Sequence, residues 1–210
     1  MDVQPPHQPI RNWQDFLLHL LTITVGLFIA LTLEASVESI HHRHLVRDAH
    51  HNLRQEIQAN HALYTRNLRD LQHNRDQLMR DIDQLRQLRN GKAPDPSDLG
   101  WDWTWDSYAE SAWDTARDSG AVPYMDTDWI AIYSHLYAQQ QYINSTALGI
   151  LDEETKAGAP LRVAGSASEL TAAEVESLLI KSAELEQRFA KLETTMKALD
   201  DFYAEALRGH

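Results

Sequence analysis

The chain contains no cysteine, which excludes a disulfide framework and fits either a reducing or an oxidising compartment. Between Phe16 and Leu33 it has no Asp, Glu, Lys or Arg. Between Gly26 and Gly91 it has neither proline nor glycine, so nothing along that stretch demands a turn. No strand pattern of any length is present. Basic residues are scarce in the second half. Residues 98–210 hold 20 acidic side chains against 8 basic ones, whereas residues 1–97 hold 11 of each, so the later part carries the whole net charge of −12. Nucleic acid and anionic lipid both call for clustered Lys and Arg, and this balance argues against either as a partner. Catalytic templates are missing as well. There is no phosphate-binding glycine loop, nucleophile elbow, His-Glu-x-x-His or cysteine pair, so no enzymatic activity and no cofactor are inferred.

What is present begins with FLLHLLTITVGLFIALTL, Phe16 to Leu33. An α-helix needs about 20 mostly apolar residues to cross a bilayer's ~30 Å hydrocarbon core. Counting from Trp13, whose ring suits the headgroup layer, the run reaches that length. Thr22 and Thr24 can return their hydroxyls to backbone carbonyls, and neutral His19 is tolerable near an interface. A cleaved signal peptide has a shorter apolar region of ~7–15 residues and a small-x-small cleavage site. Leu33-Glu34-Ala35 is a poor match to one. A buried soluble helix would show a polar face, and this one shows none. The expectation is therefore an uncleaved single-pass anchor in the lipid bilayer. Arg11 stands before the segment, and Arg43 and Arg47 after it, which on the positive-inside rule weakly favours a cytoplasmic C-terminal side.

The organisation expected along the chain is a short polar tail (1–12), a transmembrane helix (13–35), a long amphipathic, coiled-coil-like helix (36–90), a linker (91–100), and a Trp-rich acidic helical region (101–210). In the long helix, Ile57, Tyr64, Leu71, Leu78 and Leu85 fall seven apart. The series four residues on, His61, Leu68, Arg75, Ile82 and Arg89, is half polar. Such a stripe packs on one or two other helices. Trp101 to Trp105 alternates like an extended segment. Ser107 and Glu110 have capping-box spacing ahead of a short helix ending near Asp118. Asp126, Thr127 or Asp128 caps the next helix, with Trp129, Leu136, Ile143 and Ile150 in register. Thr171 and Glu174 form a second capping box. The last helix carries Leu178, Leu185, Leu192 and Leu199. Complementary stripes on three long helices predict an all-α fold. The transmembrane helix continues into the amphipathic helix, and later helices fold back on it as an antiparallel bundle. The stripes could also join the chain to a protein partner or to a second copy.

From Ser111 to Asn144, SAWDTARDSGAVPYMDTDWIAIYSHLYAQQQYIN resembles a segment of a group of uncharacterised single-pass bacterial inner-membrane proteins. In that group an anchor ending in a GLFIAL-like run precedes a long charged helix, an aromatic helix closing on Ser-Gly, and a Tyr-bearing helix. The matching pieces are Val25 to Leu31, Trp113, Ser119-Gly120, Tyr133 and Tyr137. The likeness covers the anchor and the middle of the chain. It implies a bacterial inner-membrane protein with its helical part on the periplasmic side, the opposite of the arginine count and the placement preferred here. It brings no activity and no functional residues.

Two clusters are candidate sites. Glu34, Glu38, His41, His44, Asp48 and His51 share one helical face just beyond the anchor. Glu38-x-x-His41 has the spacing of a di-metal half-site, and His with carboxylate at i, i+3 and i+4 can hold zinc. No second Glu-x-x-His accompanies it, and a hydrated, partly protonated face is the simpler reading; a pH response is the alternative use. The second cluster is aromatic: Trp101, Trp103, Trp105, Tyr108, Trp113 and Trp129, with Asp102, Asp106, Asp126 and Asp128 nearby. Indole faces flanked by carboxylates suit a sugar or cationic ligand; the simpler and favoured reading is that the indoles seal the bundle end where two loops meet. The function expected is a membrane-anchored helical scaffold or accessory subunit for protein–protein or self-association. The alternative is an extracytoplasmic ligand-, pH- or metal-sensing bundle that signals through a partner.

Overall fold

The computed structural model describes residues 12–92, 99, 103–164 and 167–208. Among these there is no strand, and the fold is all-α. Five α-helices follow in order: α1 (Trp13–Arg89), α2 (Ser111–Asp118), α3 (Thr127–Ala157), α4 (Ala159–Ala164) and α5 (Ala172–Leu207). Two 3-10 turns, Val122–Tyr124 and Ala167–Glu169, lie in the connections. The chain divides into two compact units, Met1–Asp48 and Ala49–His210.

In the first unit, every described residue from Asn12 to His41 is exposed. The hydroxyls of Thr22, Thr24 and Thr32 donate to the carbonyls of Leu18, Leu20 and Phe28 at 2.8–2.9 Å, so these polar groups are satisfied within the helix. The most apolar 18-residue window has a mean hydropathy of 2.3, and none of it is buried. By length and composition this stretch of α1 can cross a membrane.

The second unit is a three-helix bundle of α1 from Ala49 onward, α3 and α5. The predicted stripes form its core. Ile57, Leu71 and Leu85 of α1, Leu136 and Ile143 of α3, and Leu178, Leu192 and Leu199 of α5 are at most 1% exposed. Burying each such side chain contributes ~1.5–3 kcal/mol. α3 and α5 have the closest backbones of the bundle; their small buried residues, Ala147 and Ala157 on one and Ser182 and Ala206 on the other, leave room for it.

Cross-helix bonds give the directions. His61 meets Asp200, Gln72 meets Glu193, and Arg89 meets Glu176, so α5 runs antiparallel to α1. Gln140 meets Tyr203 and Arg188 meets Glu153, so α5 is antiparallel to α3 too. The direction of α3 departs from the expectation that both later helices fold back. His50, Glu56 and Asn60 pair with Tyr133, Tyr137 and Gln140, so α3 runs parallel to α1. The reason is the segment between them. Residues 103–118 return along α1 from the Asn67 level to the Glu56 level, and α3 therefore starts beside the beginning of the bundle.

Local signals explain the ends. Gly91 (φ 74°) and Gly120 (φ 75°) occupy the left-handed position that closes α1 and α2. Each is flanked by the paired bonds of a Schellman motif, Lys92 N–H to Gln87 C=O and Ala121 N–H to Ala116 C=O at 3.0 and 3.1 Å. Asp126 caps α3 through its side chain, and the Thr171/Glu174 capping box opens α5. The Ser107/Glu110 box does not form. α2 begins at Ser111, and Glu110 at its N-cap makes no side-chain capping bond. Its cap comes from α1 instead.

Candidate functional site

Among the described residues, the longest stretch outside any helix or turn is 103–110; it lies in the seam of α1 and α3, and no described strand pairs with it. Its main-chain polar groups must still be satisfied where they are shielded from water. Asparagines do this. Asn60 accepts from Ala109 N–H at 3.0 Å and donates to Ala109 C=O at 2.7 Å. Asn144 accepts from Tyr108 N–H at 3.0 Å and donates to Tyr108 C=O at 3.1 Å. Asn67 donates to the Asp106 carbonyl at 2.8 Å. Asn60 and Asn144 thus each do for one residue what a neighbouring strand would do, and Asn67 adds a single bond. Asn144 also accepts from the Trp105 indole N–H at 3.2 Å. Deeper in, Asn60 donates to Gln140, and Gln140 to the Tyr203 hydroxyl, at 3.2 and 3.0 Å. This polar chain joins all three long helices among residues at most 2% exposed. Burial holds the Tyr203 hydroxyl well above its ordinary pKa, so it remains protonated.

Where the stretch becomes α2, Glu56 takes over. Its carboxylate accepts from Ser111 Oγ at 2.6 Å, Ala112 N–H at 3.0 Å and Tyr137 OH at 2.8 Å. A carboxylate at the first turn meets unpaired N–H groups and the positive end of the helix dipole. Burial, with the Glu56 hydrogen bond next, raises the Tyr137 pKa strongly. Burial likewise lifts Tyr133 to about 12. Both hydroxyls therefore stay protonated near neutral pH, and that of Tyr137 donates to Glu56.

The aromatic residues divide between two places. Trp103 is 4% exposed and meets Phe189 edge-on at 5.0 Å, and its main-chain N–H donates to Glu154 at 3.3 Å. Trp105 lies against Trp103 and Tyr108. Nearer the start of the bundle, Trp113 stacks on Tyr137 at 5.8 Å with 9° between planes, and the Arg117 guanidinium lies 6.0 Å from its ring. Trp129 packs on Tyr133, with His50 edge-on to it. His50 Nδ1 is 3.0 Å from the Tyr133 hydroxyl. Trp101 and Asp102 lie outside the described residues. Asp106 is exposed and pairs with Arg66 at 3.4 Å. The described indoles thus line the seam along its length and do not converge on one ligand-sized spot.

The histidine face is not drawn together. Glu38 lies 4.0 Å from His42, and His41 is exposed. His44 Nδ1 is 2.8 Å from the Arg47 guanidinium, which also contacts Asp48 at 3.4 Å. His51 is within 3.0 Å of Gln55. Among the described residues, no group of three or more His, Asp or Glu side chains is arranged to hold a metal ion.

The clamp was missed in the sequence, although a signal was there. Asn60, Asn67 and Asn74 fall seven apart and three residues beyond Ile57, Tyr64 and Leu71. On a heptad that is the second seam position, one place before the half-polar series predicted to fill it. No protein-family model, curated protein or solved structure matches the chain.

Proposed function

We propose that the chain is a membrane-anchored helical scaffold or accessory subunit that holds a partner, or itself, at the bacterial inner membrane. The observation that carries this is a contrast within one helix. From Ala49 onward the apolar stripe of α1 is consumed by the bundle, whereas the apolar window before it has no buried residue at all. An apolar surface of that length needs lipid or protein around it. Among the described residues the site chemistry is also that of a holding device. It consists of amide clamps, a capping carboxylate and tyrosines kept protonated by burial.

On this proposal the bundle lies on the periplasmic side, in keeping with the resemblance in the anchor and the middle of the chain. Its acidic surface is solvated, and no catalytic step is assigned. Reporter fusions at each terminus test the sidedness, with periplasmic activity expected only at the C-terminus. Detergent solubilisation and affinity purification of the full chain test the scaffold role. A stoichiometric protein companion or a stable self-assembly is the expected result. A lone monomer whose melting temperature responds to a small molecule, to zinc or to mild acid would favour a sensor.

A further inference from the structure

We infer that α1 pairs in parallel with α1 of a second copy along a face that starts in the membrane segment and continues beyond it. The pairing rests on the membrane reading above and names the partner it leaves open.

The carrying observation lies outside the hydrocarbon. Val37 and Ile40 are 62% and 55% exposed. They lie about 6 and 10 Å past Leu33 at ~1.5 Å per residue. The headgroup layer is only ~5–7 Å deep on each side of the core. Lipid therefore accounts poorly for Ile40. Single exposed apolar residues are ordinary, but these two continue a register. Stepping back by sevens from Val37 gives Ala30, Ile23 and Phe16; from Ile40 it gives Leu33, Gly26 and, as the one polar member within the anchor, His19. A strict 3.5-residue repeat is the pattern by which two helices wrap round each other. Gly26, where an added Cβ would meet nothing within 4 Å, lets a second backbone come close within the bilayer.

Charge and topology choose the occupant. In a parallel pair, the position before one seam residue faces the position five residues on in its partner. Carried past Ile40, this register sets Arg43 of each copy against Asp48 of the other; both are exposed, and Asp48 also lies 3.4 Å from Arg47 of its own helix. The face is thus complementary to itself, as a two-fold interface requires. Single-pass insertion gives every copy the same orientation, so copies meet in parallel. The apolar part of the seam ends at His44 and Arg47, and the Arg43–Asp48 pair flanks that polar turn just before Ala49.

The absence of cysteine makes the test clean. Single cysteines at each of residues 36–42, in the full chain in membranes, are oxidised with copper phenanthroline, and covalent dimer is read on non-reducing gels. Val37→Cys and Ile40→Cys are expected to cross-link several-fold more than Ser39→Cys and His42→Cys on the opposite side. Equal yields all round, a maximum at 39 and 42, or no dimer at any position would overturn the pairing. Each variant is also sedimented with membranes after a carbonate wash. A chain that leaves the pellet refutes the membrane placement itself; one that stays but shows no heptad pattern refutes only the pairing.

Discussion

Replacing Asn60 by alanine removes the clamp on Ala109. Three hydrogen bonds disappear: two to the Ala109 main chain, at 3.0 and 2.7 Å, and one to Gln140 at 3.2 Å. Ala109 is exposed enough to recruit water, so its two bonds count at the ordinary net value of ~1 kcal/mol each or less. Gln140 is 2% exposed, and its amide oxygen, left without a donor, adds ~1–3 kcal/mol. The sum is about 3 kcal/mol. For a chain of this size that lowers the melting temperature by ~6–12 °C. The assay is thermal unfolding of the full chain in mild detergent, followed by tryptophan fluorescence. Asn74→Ala is the internal control. Asn74 is the next residue in the same heptad series, but its amide donates to the Asp70 carbonyl of its own helix, so its loss is expected to cost ~1 kcal/mol at most. Equal losses for the two variants would refute the clamp, because any asparagine of the series would then serve as well.

Three further outcomes follow from the structure. Glu193 accepts hydrogen bonds from Lys197, Gln72 and Arg75, which hold its carboxyl near 2 against an ordinary 4.5. Its folded pKa is depressed, so its contribution is complete above pH ~4.5 and is lost as pH falls toward 2. Allowing for solvent screening at the exposed Lys197, that is ~1–2 kcal/mol, and Glu193→Gln is expected to flatten this limb of the pH–stability profile. Glu56→Ala leaves the first turn of α2 without its anion and Tyr137 without its acceptor, costing ~2 kcal/mol, with loss of the near-ultraviolet dichroism of the stacked Trp113–Tyr137 pair; an unchanged spectrum would count against the cap. Gly120→Ala, at φ 75°, is expected to destabilise by ~1–2 kcal/mol, whereas Gly149→Ala, exposed in mid-α3 with open space around it, is expected to stabilise by up to ~1 kcal/mol; calorimetry of the two variants reads the sign.

The apolar periodicity was sufficient to reveal the long helices, since Leu136, Ile143 and Ile150 or Leu178, Leu185 and Leu192 point inward by spacing alone. Capping chemistry placed the starts of α3 and α5 because the bonds involved are local. The remainder depended on contacts distant in sequence. Ser107 and Glu110 satisfy the spacing of a capping box, but Glu56, 55 residues before Ser111, supplies the anion. Asn60 and Asn67 read as surface residues by hydropathy, and they are buried because an extended segment 39–49 residues away brings main-chain partners to them. That same return path reverses α3 relative to the simplest hairpin order. The indole-rich stretch was visible in the sequence, but its division into two packing groups was not, because the partners Phe189, Tyr137 and His50 come from three different helices.

Placement in the bilayer remains the point on which the proposed function turns, and carbonate extraction of membranes from cells expressing the full chain tests it most directly. The intact chain is expected to stay in the washed pellet and to be released only by detergent. Recovery of the uncleaved chain in the carbonate supernatant would contradict an anchor at Trp13–Leu33 and remove the basis for a scaffold at the membrane.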